Sequence, residues 1–180
     1  ALGQEPIDKV KKSTPIEAAP IEELIRELTD PIIEEKDGIR RATATAVLTY
    51  NPADNSRAIE SKRYPFTAPL GAVELGEIRW YIEKYYQWPT GVFKTRAEKT
   101  EKALPEWGNT FYMAALGGES ALEPLEAWKR ATGSRRFSVQ VDGEPLEGTE
   151  EAKAVLIREA ASDLLSLPWE IMHDGVGYLS

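Results

Sequence analysis

The stretch SDLLSLPWEIMHDGVGYLS, residues 162–180, decides how the chain reads. It opens with the apolar residues Leu164, Leu165 and Leu167, and Pro168 closes that run. Trp169 and Glu170 follow, then Ile171–Met172, His173–Asp174–Gly175, Tyr178 and Leu179. Asp174–Gly175 favours a tight turn, because Gly accepts positive φ and Asp bonds its own backbone. The pattern predicts two short strands joined by that turn. Trp169 would be a buried packing anchor, with Glu170 held by a local hydrogen-bond partner.

Upstream, Phe137, Val139 and Val141 alternate as in a strand, which Asp142–Gly143 turns. Residues 154–157 read as a second short β-type run after an acidic loop. Leu122, Leu125 and Trp128 predict a helix starting at Pro124 and closed by Gly133. Leu104, Trp107 and Phe111 fall at spacings of three and four, predicting a helix over 105–116 that Gly117–Gly118 ends. Before it, Thr95-Arg96-Ala97-Glu98 is a capping box opening a mostly polar helix that runs to Leu104–Pro105. Residues 74–86 carry the strongest helical signal, with Leu75, Ile78, Ile82 and Tyr85 in phase and Trp88–Pro89 as the stop. Their aromatic density suits a core, or a face that docks a neighbouring domain.

Residues 39–50 alternate: Ala42, Ala44, Ala46 and Leu48 share one parity, and Thr43, Thr45, Val47 and Thr49 the other. This predicts a strand, with a turn at 51–55 and a returning strand over 57–66. Ile21, Leu24, Ile25 and Leu28 predict a helix over 21–29 that Asp30–Pro31 stops. Residues 1–20 hold Pro6, Pro15 and Pro20 and read as a linker or arm. The coarse class is α/β, with strands and helical blocks in alternation.

Two stretches carry a family likeness. LLSLPWEIMHDGVGYLS resembles the LPWE signature of the CHAT domain, a caspase-like domain of mostly bacterial proteins. PLGAVELGEIRWYIEKYYQWPTGVF resembles the helix found upstream in that family, and residues 95–116 resemble the segment after it. The resemblance covers roughly residues 39–180. It implies a caspase-like layered sheet and helices, incomplete at its C-terminal side, with residues 21–180 as the N-terminal part of the domain. Family members that are peptidases use a Cys–His dyad downstream of the LPWE segment, so no catalytic position is carried over onto this chain. The implied function is the non-catalytic portion of a cysteine peptidase in a bacterial signalling or defence assembly. The alternative is a non-enzymatic interaction or scaffold module with a degenerate caspase-like fold. The implied partner is the downstream half of the same domain or another protein chain.

Composition narrows the chemistry. The net charge is −8 and the pI near 4.9, so nucleic acid is not expected as a direct partner. There is no cysteine, which excludes a disulfide framework, a thiolate metal site and a cysteine nucleophile within these residues. No run approaches the ~18 apolar residues of a membrane span, so no membrane partner is expected. No signal peptide opens the chain, which leads us to expect a cytoplasmic setting, and the initial Ala suggests a processed or excised piece. His173 is the sole histidine. Adjacent strand residues point to opposite faces, so Asp174 would not orient it as a base. No nucleophile elbow, P-loop or dinucleotide fingerprint occurs. The acidic pairs Glu22–Glu23, Glu34–Glu35 and Glu150–Glu151 sit in polar contexts that would raise no pKa. No catalytic, cofactor-binding or metal-ligating residue is therefore assigned, and no cofactor is expected.

Overall fold

The computed structural model describes residues 19–87 and 90–179. Residues 1–18 of the expected arm lie outside the described residues, and Ala19 and Pro20 are exposed. The fold begins with a long hairpin of β1 (Ile21–Lys36) and β2 (Ile39–Asn51). Asp37 and Gly38 join them with φ of 53° and 75°. Two successive positive φ angles match the right-handed twist of the flanking strands, which is why an Asp-Gly pair sits there.

β1 corrects the helix expected over 21–29. Leu24, Arg26 and Leu28 point to one face and are fully buried, while Glu27 on the other is exposed. Ile21, Leu24, Ile25 and Leu28 fit a helical period as well, so the strand signal rests on residue 26. That position carries an arginine where alternation calls for an apolar side chain. Asp30–Pro31 is likewise a bulge rather than a stop. Thr29 pairs with Thr45 and Ile32 with Thr43, so β1 spends one more residue than β2. Asp30 takes φ of 52°. The extra residue reverses the parity: Ile33 packs against the core and Ile32 is exposed.

The returning segment is present in two pieces, β3 (Ile59–Glu60) and β4 (Tyr64–Thr67), both antiparallel to β2. β5 (Ser134–Val141) pairs parallel to β1, with Leu24 opposite Phe137 and Leu28 opposite Val141. The result is a five-stranded mixed sheet of order β3-β2-β1-β5, with β4 also on β2. Among the described residues no strand pairs with the outer edge of β5.

The helices are α1 (Ala72–Glu83), α2 (Val92–Leu116), α3 (Leu122–Arg130) and α4 (Glu151–Leu165). The two helices expected around Pro105 are one, with the proline inside α2. α4 replaces the β-type run expected over 154–157. Its buried residues Ala154, Ala160, Ala161 and Leu164 follow a helical period, whereas Val155 and Leu156 are exposed. Four adjacent apolar residues thus mark a helix with an incompletely covered face.

A single core cluster joins Leu24, Leu28, Leu48 and Phe66 of the sheet to Phe111 of α2, Trp128 of α3 and Leu164 of α4. Phe137, Val139 and Val141 pack against it from β5. Ile25, Thr45, Val47 and Thr49, on the opposite face, lie outside it. The chain is a mixed α/β protein with its helical core on one face of the sheet.

Arg26 is the exception within that core, with 0% of its surface exposed. Its Nη2 donates to the Ala115 carbonyl in the last turn of α2, and the Tyr64 hydroxyl donates to the same oxygen at 2.9 Å. The guanidinium stacks over Tyr64 and Phe66, 5.0 and 5.7 Å from the ring centroids. The last carbonyls of a helix lack intrahelical partners and carry partial negative charge, so a buried cation there is compensated without a carboxylate. The compensation is incomplete. Arg26 Nε and Nη1 have no partner among the described residues, and burial pulls the pKa down to about 10. The side chain's bulk should therefore outweigh its charge. Arg26→Ala is expected to cost roughly 3–5 kcal/mol through the cavity it leaves, and Arg26→Met to cost under about 1.5 kcal/mol. Urea unfolding measures both, and equal losses would instead place the stabilisation in the guanidinium's polar contacts.

Candidate functional site

α4 ends at Leu165, and Pro168, which cannot extend a helix, directs the chain into a single 3-10 turn at Trp169–Ile171. The turn drives Trp169 inward. Its ring stacks on Phe66 at 5.5 Å, meets Phe111 edge-on at 4.9 Å and lies 6.2 Å from Phe137. The indole N–H donates to the Leu164 carbonyl at 3.0 Å. Leu167, Ile171 and Met172 are buried beside it, and Trp169 itself is half-buried. The same turn throws Glu170 outward, and its carboxylate has no partner among the described residues.

The two strands expected after Trp169 contract to a single antiparallel pair, His173 with Tyr178. α2 lies against them. His173 N–H donates to the Gly108 carbonyl at 3.0 Å, and the Asn109 side-chain amide donates to the His173 carbonyl at 3.1 Å. Asp174 closes the turn as its sequence suggests: Oδ1 accepts from Val176 and Gly177 N–H at 2.8 and 2.9 Å. Its Oδ2 lies 3.6 Å from Lys129 Nζ, which in turn donates to the Tyr112 hydroxyl at 3.0 Å. The Gly177 and Val176 amides, with a smaller contribution from Lys129, hold this carboxyl below the usual range. Asp174 thus staples the C-terminal turn to α3 and α2.

His173 is not oriented by Asp174. Its Nδ1 accepts from Gly175 N–H at 3.1 Å, which puts the proton of the neutral ring on Nε2, and the ring packs edge-on against Tyr178 at 4.9 Å. This geometry makes the histidine part of the turn rather than a base beside a nucleophile. Around the turn, Leu165 and Tyr178 are 55% and 48% exposed, whereas Ile171 is buried.

The outer side of the LPWE turn forms one wall of a cleft of about 680 Å³. Arg40 and Arg41 reach it from the start of β2, Arg79 from α1, and Asp163 from α4. The cleft lies where β1 hands over to β2, beside the Asp37–Gly38 turn. Arg40 pairs with Glu159 at 3.4 Å, and Arg41 Nη1 donates to the Ala68 carbonyl at 3.1 Å. Partial burial, then repulsion from Glu159, raises the pKa of Asp163, and Arg40 offsets this in part. Sequence reasoning missed this assembly. Its charged residues come from separate elements, and the adjacent Arg40–Arg41 was the one local signal.

Among the described residues no group of His, Cys, Asp and Glu is placed to hold a metal ion, and no helix is long and apolar enough to cross a membrane. No protein family, curated protein or solved structure matches the chain.

Gly108 provides a sharp test of the α2 contact. A Cβ there would lie 2.0 Å from the Ile171 carbonyl oxygen and 3.0 Å from His173 Cβ. Gly-to-Ala in a helix interior ordinarily gains about 1 kcal/mol. Here the sign should reverse, with Gly108→Ala lowering stability by roughly 1–3 kcal/mol through overpacking. A raised urea midpoint would show that α2 does not rest on the turn.

Proposed function

We propose that this chain is the N-terminal, non-catalytic portion of a CHAT-type, caspase-like domain in a cytoplasmic bacterial protein. The parent acts as a cysteine peptidase in a signalling or defence assembly. One observation carries the reading: the LPWE-like segment anchors beside a sheet edge that is open to continuation. Trp169 reaches Phe137 on β5, and β5 is parallel to β1 with its outer edge unpaired among the described residues. An unpaired edge offers its N–H and C=O groups to another strand. α4 already packs against β1 and β5, so a parallel strand after the LPWE turn completes a right-handed crossover unit. In this reading β1–β5 and the helices form the supporting half of the domain. The nucleophile and base belong to strands beyond β5.

A second reading, a non-enzymatic scaffold module with a degenerate caspase-like fold, is favoured by the face of the sheet that carries no core. Thr45, Val47 and Thr49 lie there outside the core cluster, available to a partner chain.

Covalent proteolysis needs an activated nucleophile within reach of a base. The purified chain should therefore show no turnover of unfolded protein or peptide libraries. Cleavage should appear only with the parent polypeptide and depend on a cysteine outside these residues. A parent without cleavage would favour the scaffold reading. Turnover by the chain alone, lost on His173→Ala, would overturn both readings and move the site onto His173.

A further inference from the structure

The cleft between the β1–β2 turn, α1 and the LPWE turn serves no purpose in the function proposed above. At about 680 Å³ it falls within the roughly 300–1,000 Å³ of ordinary ligand pockets. Its floor is apolar: Leu70, Ile78 and Leu167 line it and are themselves buried. Its rim carries both signs of charge, but they are unequally committed. Arg40 is engaged by Glu159, and Arg41 by the Ala68 carbonyl. Arg79 and Glu83, four residues apart on α1, make no ion pair among the described residues, and their opposite charges sum to zero on the rim. Asp163 and Glu170 remain, on α4 and on the LPWE turn, with no hydrogen bond or salt bridge of their own among the described residues, and Arg40, which attracts Asp163, is itself paired with Glu159.

We propose that this cleft binds an extended peptide segment in which a lysine or arginine sits beside a bulky apolar residue. The apolar side chain would lie on the Leu70–Ile78–Leu167 floor, and the cation would face Asp163 and Glu170. Two features suit a peptide. The cleft is open at the surface, and its charged groups come from different elements, so one ligand must span them. Glu170 gives the LPWE turn a role in recognition as well as packing: Trp169 faces the core while its neighbour faces the cleft. The cleft would bind such a segment whether or not a peptidase centre lies downstream.

The test uses an acetylated, amidated hexapeptide with one lysine between two leucines, and copies with glutamine or glutamate in its place. Binding is read by fluorescence anisotropy and by ¹⁵N chemical-shift changes on the full chain. The lysine peptide should shift the amides of Leu70, Ile78 and Leu167. It should bind about two- to fivefold more tightly than the glutamine copy, as expected for a partly exposed ion pair. Asp163→Asn and Glu170→Gln, both exposed positions, should remove that margin and leave binding of the glutamine copy unchanged. Equal binding of all three copies, tightest binding of the glutamate copy, shifts confined to another surface, or no binding at millimolar peptide would each overturn the proposal. Unchanged circular dichroism of the variants separates a lost contact from a lost fold.

Discussion

Trp169 touches Phe66 of β4, Phe111 of α2 and Phe137 of β5, and its N–H is bound to the last turn of α4. Aromatic pairs at these separations contribute about 0.5–1.5 kcal/mol each beyond the area they bury. The energetic sum matters less than the geometry. Among the described residues β5 joins the sheet through one neighbour, β1, so its second hold on the body is through the core side chains that meet it. Pro168 follows the end of the preceding helix and Gly108 lets α2 approach, so the backbone on either side of the indole is held in place. The cleft inherits its wall from the same arrangement, since Glu170 can face outward only while Trp169 faces inward.

The other end of the core is organised by a different force. Arg26 places a cation against the carbonyl end of α2, and that helix runs from there to the Gly108 contact. A buried charge is weak evidence of stability in itself, because desolvation offsets much of the attraction. Its value here is directional. One carbonyl, Ala115, receives donors from β1 and from β4, which fixes how far α2 slides along the sheet. The Trp128 N–H does the same for α3, donating to the Glu22 carbonyl at 3.0 Å. Polar contacts set the register of the helices, and apolar burial supplies the stability.

Much of this was legible in the residues and some was not, for physical reasons. The alternation of residues 39–50 predicts β2 because its buried residues, Thr43 apart, are all apolar or tyrosine. The same period in β1 is hidden by Arg26, whose charge is only partly compensated, by a helix end distant in sequence. The bulge at Asp30–Pro31 reads as a helix stop in sequence because both features need the same residues: a turn-tolerant Asp and a proline without an N–H. In α4 a local run of apolar residues outweighed a weaker helical period built on alanines. Leu-Pro-Trp-Glu was recognised as an anchor, but its geometry was not. A 3-10 turn and a single bridged pair stand where two strands were expected, because α2 takes the His173 N–H through the Gly108 carbonyl. The cleft could not be read from sequence, since its charges meet only through tertiary packing.

The measurement that tests the central claim most directly is the urea unfolding of Trp169→Ala, followed by the exchange of β5 amide protons. If Trp169 holds the sheet to its helices, the substitution removes roughly 3–5 kcal/mol of stability. The amides of Phe137 and Val139 then exchange faster than those of Leu24 and Leu48, because β5 loosens before the β1–β2 hairpin. A loss below about 1 kcal/mol, or uniform exchange across the sheet, would show that the indole only fills space and that β5 is held by β1 alone.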